Sequence, residues 1–400
     1  MEIILLQLQN HEPEKELDAD LIIEIKIFVR NILVRTIEKY FSSKKSAIRK
    51  NTMLILRTDA IGDYILFRNF IKYIKESEKY RHYSIALCGN ELWKDLAENY
   101  DNEFVDSFIW IDKTKFFRTS GWTYTIRKLN KIHSSGYDVL VDPNEIKSQL
   151  SEYIKKHSGA GIIIENSPVF LSNLPEKLEI LTRRSNNKPR APLCEYFQFN
   201  ANKKFIEELI ESRIYLTKTS IEIEHLTNPE DYIVLFPGAG TLDRVWSSGR
   251  FSDLCILLRK ITPSKILICG DSRDRASAND IVKFSGIENI EDITGKTTLP
   301  QLVKLIGRSK LLISNESCAV HIAAAVGTKA VCISNGNHFG KFNPYPKSMA
   351  ENIETLYPAE VNDHIDDYEV LIRRFAISSD IEINKISVES VFEVARNLLD

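Results

Sequence analysis

Residues 310–334 read KLLISNESCAVHIAAAVGTKAVCIS. An aliphatic run (310–314) leads into a polar turn, a small-residue helical stretch, a glycine and a second apolar run (329–334). Strand, crossover helix, strand is the repeating unit of parallel sheets covered on both faces. The same alternation extends outward in both directions. Runs at 52–57, 83–88, 104–111, 137–142 and 159–164 read as one set of strands, and runs at 231–237, 264–270 and 289–294 join the opening pair in a second. Helical periodicity occupies 64–77, 250–261 and 299–309. The Asn-, Pro- and Lys-rich stretch 183–204, followed by a short helix and a polar link, separates the two blocks. The chain therefore divides into a helical extension (1–50), a first Rossmann-like domain (51–225), a second (226–380) and a closing helix (381–400).

Fifty-three Lys and Arg against 55 Asp and Glu give a formal charge of −2 over 400 residues. That balance argues against a nucleic-acid binder. The apolar runs are far short of a membrane span, and the first residues lack the basic start and cleavage site of a signal peptide, so the expected location is cytoplasmic. Cys88, Cys194, Cys255, Cys269, Cys318 and Cys332 form no C-x-x-C pair, and with no metal-ligand spacing among the histidines no metal site is expected. The extension behaves differently: residues 1–25 carry seven acidic and one basic residue, residues 26–50 eight basic and one acidic. Leu21, Ile25, Phe28, Ile32 and Tyr40 share one helical face. That face suits packing on the protein body, on a second subunit, or on a membrane surface through 26–50.

Ligands of open parallel sheets bind beyond the carboxyl ends of strands, which directs attention to five loops. In RTDAIGDYILF (57–67), Asp63 sits where a helix begins; it reads as an N-cap or as a general base at a cleft edge. In FPGAGTLDRVWSSGRF (236–251), Gly238, Ala239 and Gly240 leave amides accessible and Arg244 follows, a pattern that holds phosphate oxygens or simply makes a turn. CGDSRDRASAND (269–280) contributes Asp274. SNESCAVHIAAAVGT (314–328) places Glu316, Ser317 and Cys318 at a helix start with His321 one turn on. NGNHFGKFNPYP (335–346), with His338, is an exit loop or a flap over the cleft.

Taken in order, these segments resemble glycosyltransferase family 9, the heptosyltransferase-like enzymes of bacterial surface-glycan assembly. LRTDAIGDYILFRNFIKYIK, YDVLVDPNEIKSQL, FPGAGTLDRVWSSGRFSDL and ITGKTTLPQLVKLIGRSKLLISNESCAVHIAAAVGT are similar to that family's motifs and span about 52–346. The resemblance implies a GT-B fold, two Rossmann-like domains facing across a cleft. It implies inverting transfer from a nucleoside-diphosphate sugar such as ADP-heptose to a glycan or glycolipid acceptor in lipopolysaccharide biosynthesis, without metal or other cofactor. By the same resemblance Asp63 is the catalytic base and Arg244 neutralises the diphosphate. Glu316, Ser317 and His321 contact the donor, with Thr297 and Asp274 near the nucleotide. The family's Asp-Thr/Ser-Gly reads Glu316-Ser317-Cys318 here, one methylene longer and without the glycine. A nucleotide-sugar epimerase or hydrolase on the same fold, and a non-catalytic glycan-assembly scaffold, are the competing readings.

Overall fold

The computed structural model describes residues 19–44, 46–118, 121–166, 197–223, 229–375 and 377–400. Residues 1–18 of the extension, 183–196 of the insert with Cys194, and the expected boundary at 225/226 lie outside those residues.

Two parallel sheets form the frame. The first has the order β3-β2-β1-β4-β5 and the second β11-β10-β9-β6-β7-β8. The first comprises β1 (Arg49–Arg57), β2 (Ser84–Asn90), β3 (Ser107–Ile111), β4 (Tyr137–Asp142) and β5 (Ile162–Glu165). The second comprises β6 (Tyr232–Phe236), β7 (Lys265–Ile268), β8 (Ile290–Asp292), β9 (Leu311–Asn315), β10 (Ala330–Ile333) and β11 (Ile353–Leu356). Central β1 pairs Leu54 with Ala86 on β2 and with Leu140 on β4, while β9 pairs Leu312 with Val234 on β6 and Ala330 on β10. Both faces of each sheet are covered, so these strands are continuous apolar runs. This is the GT-B architecture. The terminal helix Val388–Leu399, capped by Ser387, buries Val391 and Ala395 against the second sheet.

Three local expectations are corrected. The helix read at 64–77 is two pieces, Ile61–Ile65 and Asn69–Glu76. The Ile65 carbonyl accepts the Thr219 hydroxyl at 2.6 Å and the Leu66 carbonyl accepts the Asn202 amide at 3.1 Å, so side chains of the linker take acceptors a continuous helix would use. Strand β11 escaped notice because a four-residue edge strand carries little pattern. In the extension helix, Ala19–Ser42, the buried side chains among those described are Ile37 and Phe41, which pack with Leu54, Leu56 and Leu129. Of the face formed by Leu21, Ile25, Phe28, Ile32 and Tyr40, the side chains of Phe28, Ile32 and Tyr40 are exposed and do not pack on the body, and those of Leu21 and Ile25 lie outside the described ones.

One apolar core runs through both halves, from Met53 and Phe70 through Phe197 and Ile221 to Ile322 and Leu312. The linker is strapped to the first half: Arg68 Nη1 donates to the Ser220 carbonyl at 2.5 Å, and Asn69 Oδ1 accepts the Ser220 amide at 2.9 Å. The next amide, Ile221, donates to Ala325 of the second half at 2.9 Å. A second hydrogen bond between the halves lies at the start of helix Gln198–Ile210, where the Gln198 amide donates to the Lys341 carbonyl at 2.9 Å.

Candidate active site

Strand β1 is buried along most of its length, and its last residue delivers the chain to the short helix that carries Asp63. Asp63 is half-buried and occupies the third position of that helix; the N-cap is Ala60, with no side-chain cap bond. The N-cap reading of Asp63 is therefore corrected. Its main-chain carbonyl accepts Arg57 Nη2 at 3.0 Å.

Opposite it stand the loops of the second half. The Gly238 loop and the Asp274 turn are one unit: a Cβ on Gly238 would fall onto the Asp274 carboxylate, and one on Gly270 would come within 2.5 Å of Asp274 Oδ2. Asp274 Oδ2 accepts the Asp271 amide at 2.9 Å, and burial pushes its carboxyl above the ordinary range. Half-buried Thr297 belongs to the loop beginning at Gly295, whose amide donates to the Gly270 carbonyl at 2.9 Å, so this loop abuts the same unit. Ala239 is half-buried and Gly240 exposed beside it. The Arg244 guanidinium lies over Gly240, so a Cβ there would push the end of that side chain aside.

Arg244 Nε donates to Thr241 Oγ1 at 3.1 Å, and Nη1 lies 3.8 Å from Glu316 Oε1. Glu316 is buried; its Oε2 accepts the Ser334 hydroxyl at 2.5 Å, and Oε1 has no hydrogen-bond partner. Desolvation, opposed by Ser334 and Arg244, raises its carboxyl to about 7. The extra methylene thus lets one carboxylate oxygen dock on Ser334 while the other turns to the guanidinium.

Helix Cys318–Val326 begins at Ser317, whose hydroxyl accepts the Ala319 amide at 3.2 Å. Half-buried Cys318 opens the helix, and desolvation pushes its thiol up to about 12, so it stays protonated. His321 is buried, with Nδ1 2.5 Å from the Tyr345 hydroxyl. Burial lowers it to about 4, against a pull upward from Asp63, so the ring is neutral. Its edge packs on the first half: a Cβ on Gly62 would come within 2.6 Å of His321 Cδ2. His338, at positive φ (51°), hydrogen-bonds Asn337 at 3.1 Å. Burial, with Lys341 and Arg244, lowers it to about 4, and Asp63 pulls it upward.

The structure therefore gathers Gly240, Arg244 and Glu316 in one cluster and Gly238 and Asp274 in another. Ser317, Cys318 and His321 lie on a helix whose histidine meets the Asp63 turn. Sequence reasoning passed over Arg57, Asp59, Glu145 and Lys341, all at the same cleft. Arg57 and Lys341 are buried, and both are felt by Glu145, itself buried with a raised carboxyl. A charged residue closing a buried strand, as Arg57 closes β1, was the available signal. A half-buried carboxylate, Asp63, and the Arg244 guanidinium both act on His338, and the Asp63 turn meets the helix that carries His321. Proton removal on one side and stabilisation of a departing anion on the other are the chemistry this arrangement suits.

The model of glycosyltransferase family 9 (heptosyltransferase) matches residues 129–366. The chain belongs to glycosyltransferase family 9. The match takes in every second-half candidate and begins after Asp63. A lipopolysaccharide heptosyltransferase 3 of Escherichia coli is 28% identical over 131 residues, 32% of this chain and 38% of that relative. The chain thus aligns with well under half of that curated relative's length. Among solved structures, a glycosyl transferase family 9 protein of Veillonella parvula superposes with TM-score 0.61 at 20% identity, covering 88% of this chain and 98% of that one. An E. coli ADP-heptose lipopolysaccharide heptosyltransferase II gives 0.59 at 14% identity, covering 87% and 98%. An E. coli heptosyltransferase solved with ADP gives 0.60 at 11% identity, covering 87% and 99%. The family match bears out the family, and the likeness to these solved structures bears out the fold.

Proposed function

We propose that this family 9 protein is an inverting glycosyltransferase that moves heptose or a related sugar from a nucleoside diphosphate, without a metal. The acceptor is a lipopolysaccharide-type glycan or glycolipid at the inner face of the cytoplasmic membrane. The observation that carries the reading is the approach of His321 to Gly62, which sets the Asp63 turn against the Ser317-capped helix. Asp63 accepts the proton of an acceptor hydroxyl as that oxygen attacks the anomeric carbon from the face opposite the leaving group. Charge then grows on the departing diphosphate, where Arg244, the amides of Gly238–Gly240 and the 318–326 helix start meet it. Neutral His321 adds bulk and a hydrogen-bonding edge without competing for the diphosphate as a cation.

The solved relatives bound to ADP, and the heptosyltransferase names of the others, support an adenine-nucleotide heptose as the first donor to try. The decisive experiment incubates the protein with ADP-heptose and a lipopolysaccharide-core acceptor, with and without EDTA. Transfer with inversion, unaffected by chelation, is expected. Donor breakdown or epimerisation at the same rate without acceptor would replace this reading with the hydrolase or epimerase one. Loss of transfer in EDTA, restored by a divalent cation, would remove metal independence.

A further inference from the structure

A five-residue helix cannot hold itself in place, so the Ile61–Ile65 turn that carries Asp63 depends on its neighbours. Arg57 is the neighbour that grips it. Its side chain is 1% exposed and its guanidinium lies 4.7 Å over the Phe67 ring. Nη2 donates to the Asp63 carbonyl at 3.0 Å, and Nε lies 3.0 Å from Asp59 Oδ2. Asp59 is fixed in turn through its own carbonyl, which accepts Asn90 Nδ2 at 2.9 Å and Trp93 Nε1 at 3.3 Å. Arg57 Nε and Nη1 and Asp59 Oδ1 are buried without a hydrogen-bond partner, so the contact of Nε with Asp59 is an ion pair. One guanidinium therefore spans two acidic residues, holding one by its side chain and the other by its main chain.

We propose that the Arg57–Asp59 ion pair is the positioning unit of the transfer reaction, setting where the Asp63 carboxylate stands in the cleft without itself touching donor or acceptor. The inference rests on Asp63 being the base. A buried guanidinium that loses its counter-ion is costly and reorients, so the grip on Asp63 holds only while Asp59 is ionised. Desolvation, opposed by Arg57 and Lys113 and reinforced by Asp63, raises the Asp59 carboxyl to about 7. The groups facing this unit are Asp63 on its own turn, Lys113 from the loop after β3 and Glu145 from the loop after β4. Across the cleft stand His321 and His338, both already neutral, with Lys341 and Arg244 behind His338.

The test measures kcat and donor KM against pH for the full chain and for Asp59→Asn, Asp59→Glu, Arg57→Lys and Asp63→Ala. In the unaltered protein kcat should rise as pH passes through about 7, following ionisation of Asp59. Asp59→Asn should lack that limb and lose about 10- to 100-fold in kcat, the scale of a misplaced group, with donor KM within about twofold. Asp59→Glu should recover part of both. Arg57→Lys keeps the charge and loses the fork, so its kcat should be low at every pH; it tests the grip even should Asp59→Asn fold poorly. An unchanged limb in Asp59→Asn, or a donor KM that worsens in step with kcat, would overturn the proposal. Failure of Asp59→Asn to alter turnover while Asp63→Ala is inactive removes the positioning role alone. Normal turnover by Asp63→Ala removes the base assignment and the positioning role with it.

Discussion

Asp63 and Glu316 are two carboxylates in one cleft with different surroundings. Asp63 is half-buried and makes no cap, which leaves its oxygens available. Replacing it with Ala should lower transfer by about 10²–10⁴, the usual worth of a positioned general base, while nucleotide affinity measured by titration stays the same. Arg244→Ala should weaken nucleotide binding as well, because its guanidinium is assigned to the diphosphate rather than to the acceptor. Glu316 is buried among Ser334 and Arg244, and its carboxyl is raised from the ordinary 4.5 to about 7. A folded-state value above the unfolded one means that the protonated form is favoured by folding. That contribution is complete below pH 4.5 and is lost as pH rises through about 7. Glu316→Gln, which cannot ionise, should therefore be more stable than the parent at pH 8, by up to about 3 kcal/mol, with the gap closing towards pH 5. Denaturant melts at the two pH values would show it, and a gap constant with pH would refute it.

Among the elements, the Ile61–Ile65 turn and the Cys318–Val326 helix matter most, since they meet with no side chain on one side. Gly62 lies at ordinary helical backbone angles, so an alanine there meets only the His321 ring, at 2.6 Å. Gly62→Ala should cost about 1–3 kcal/mol, as overpacking does, and much of that should vanish in a His321→Ala background. A double-mutant cycle on melting stability checks this; additive losses would mean that the contact is not the cause. The strands were legible because burial on both faces made each a run of aliphatic residues. The break at 66–68 was not legible. It depends on Thr219 and Asn202, far along the chain, taking carbonyls that local periodicity assigns to the helix. In 238–244 a glycine and a charge fall together, and the structure sets Arg244 beside Gly240. Arg57 and Asp59 lie in the quoted 57–67 loop and were passed over because their burial and pairing do not show in residue type, and Lys341 because its neighbour Glu145 lies far along the chain.

For the molecule as a whole, the described part of the extension helix packs on the body at its C-terminal end and is exposed at 27–29 and 31–32. Ile37 and Phe41 close the first sheet's outer face, whereas Phe28 is 67% and Ile32 48% exposed, one turn apart, with Arg35 and Lys39 also exposed nearby. An apolar stripe flanked by cations suits an anionic lipid surface. Among the described residues no helix is long and apolar enough to cross a membrane. We propose that this end of the helix rests on the membrane that presents the acceptor. Phe28→Ser with Ile32→Ser should abolish co-flotation with vesicles containing phosphatidylglycerol and leave the melting temperature unchanged. No flotation of the parent protein would end the idea. Between the halves, main-chain hydrogen bonds are made at two described places, from Gln198 to Lys341 and from Ile221 to Ala325, and Ser220 beside the second is held by the Arg68 and Asn69 side chains. Because one apolar core passes from half to half, any separation that draws His321 away from Gly62 also brings apolar side chains into water, and that exposure opposes it.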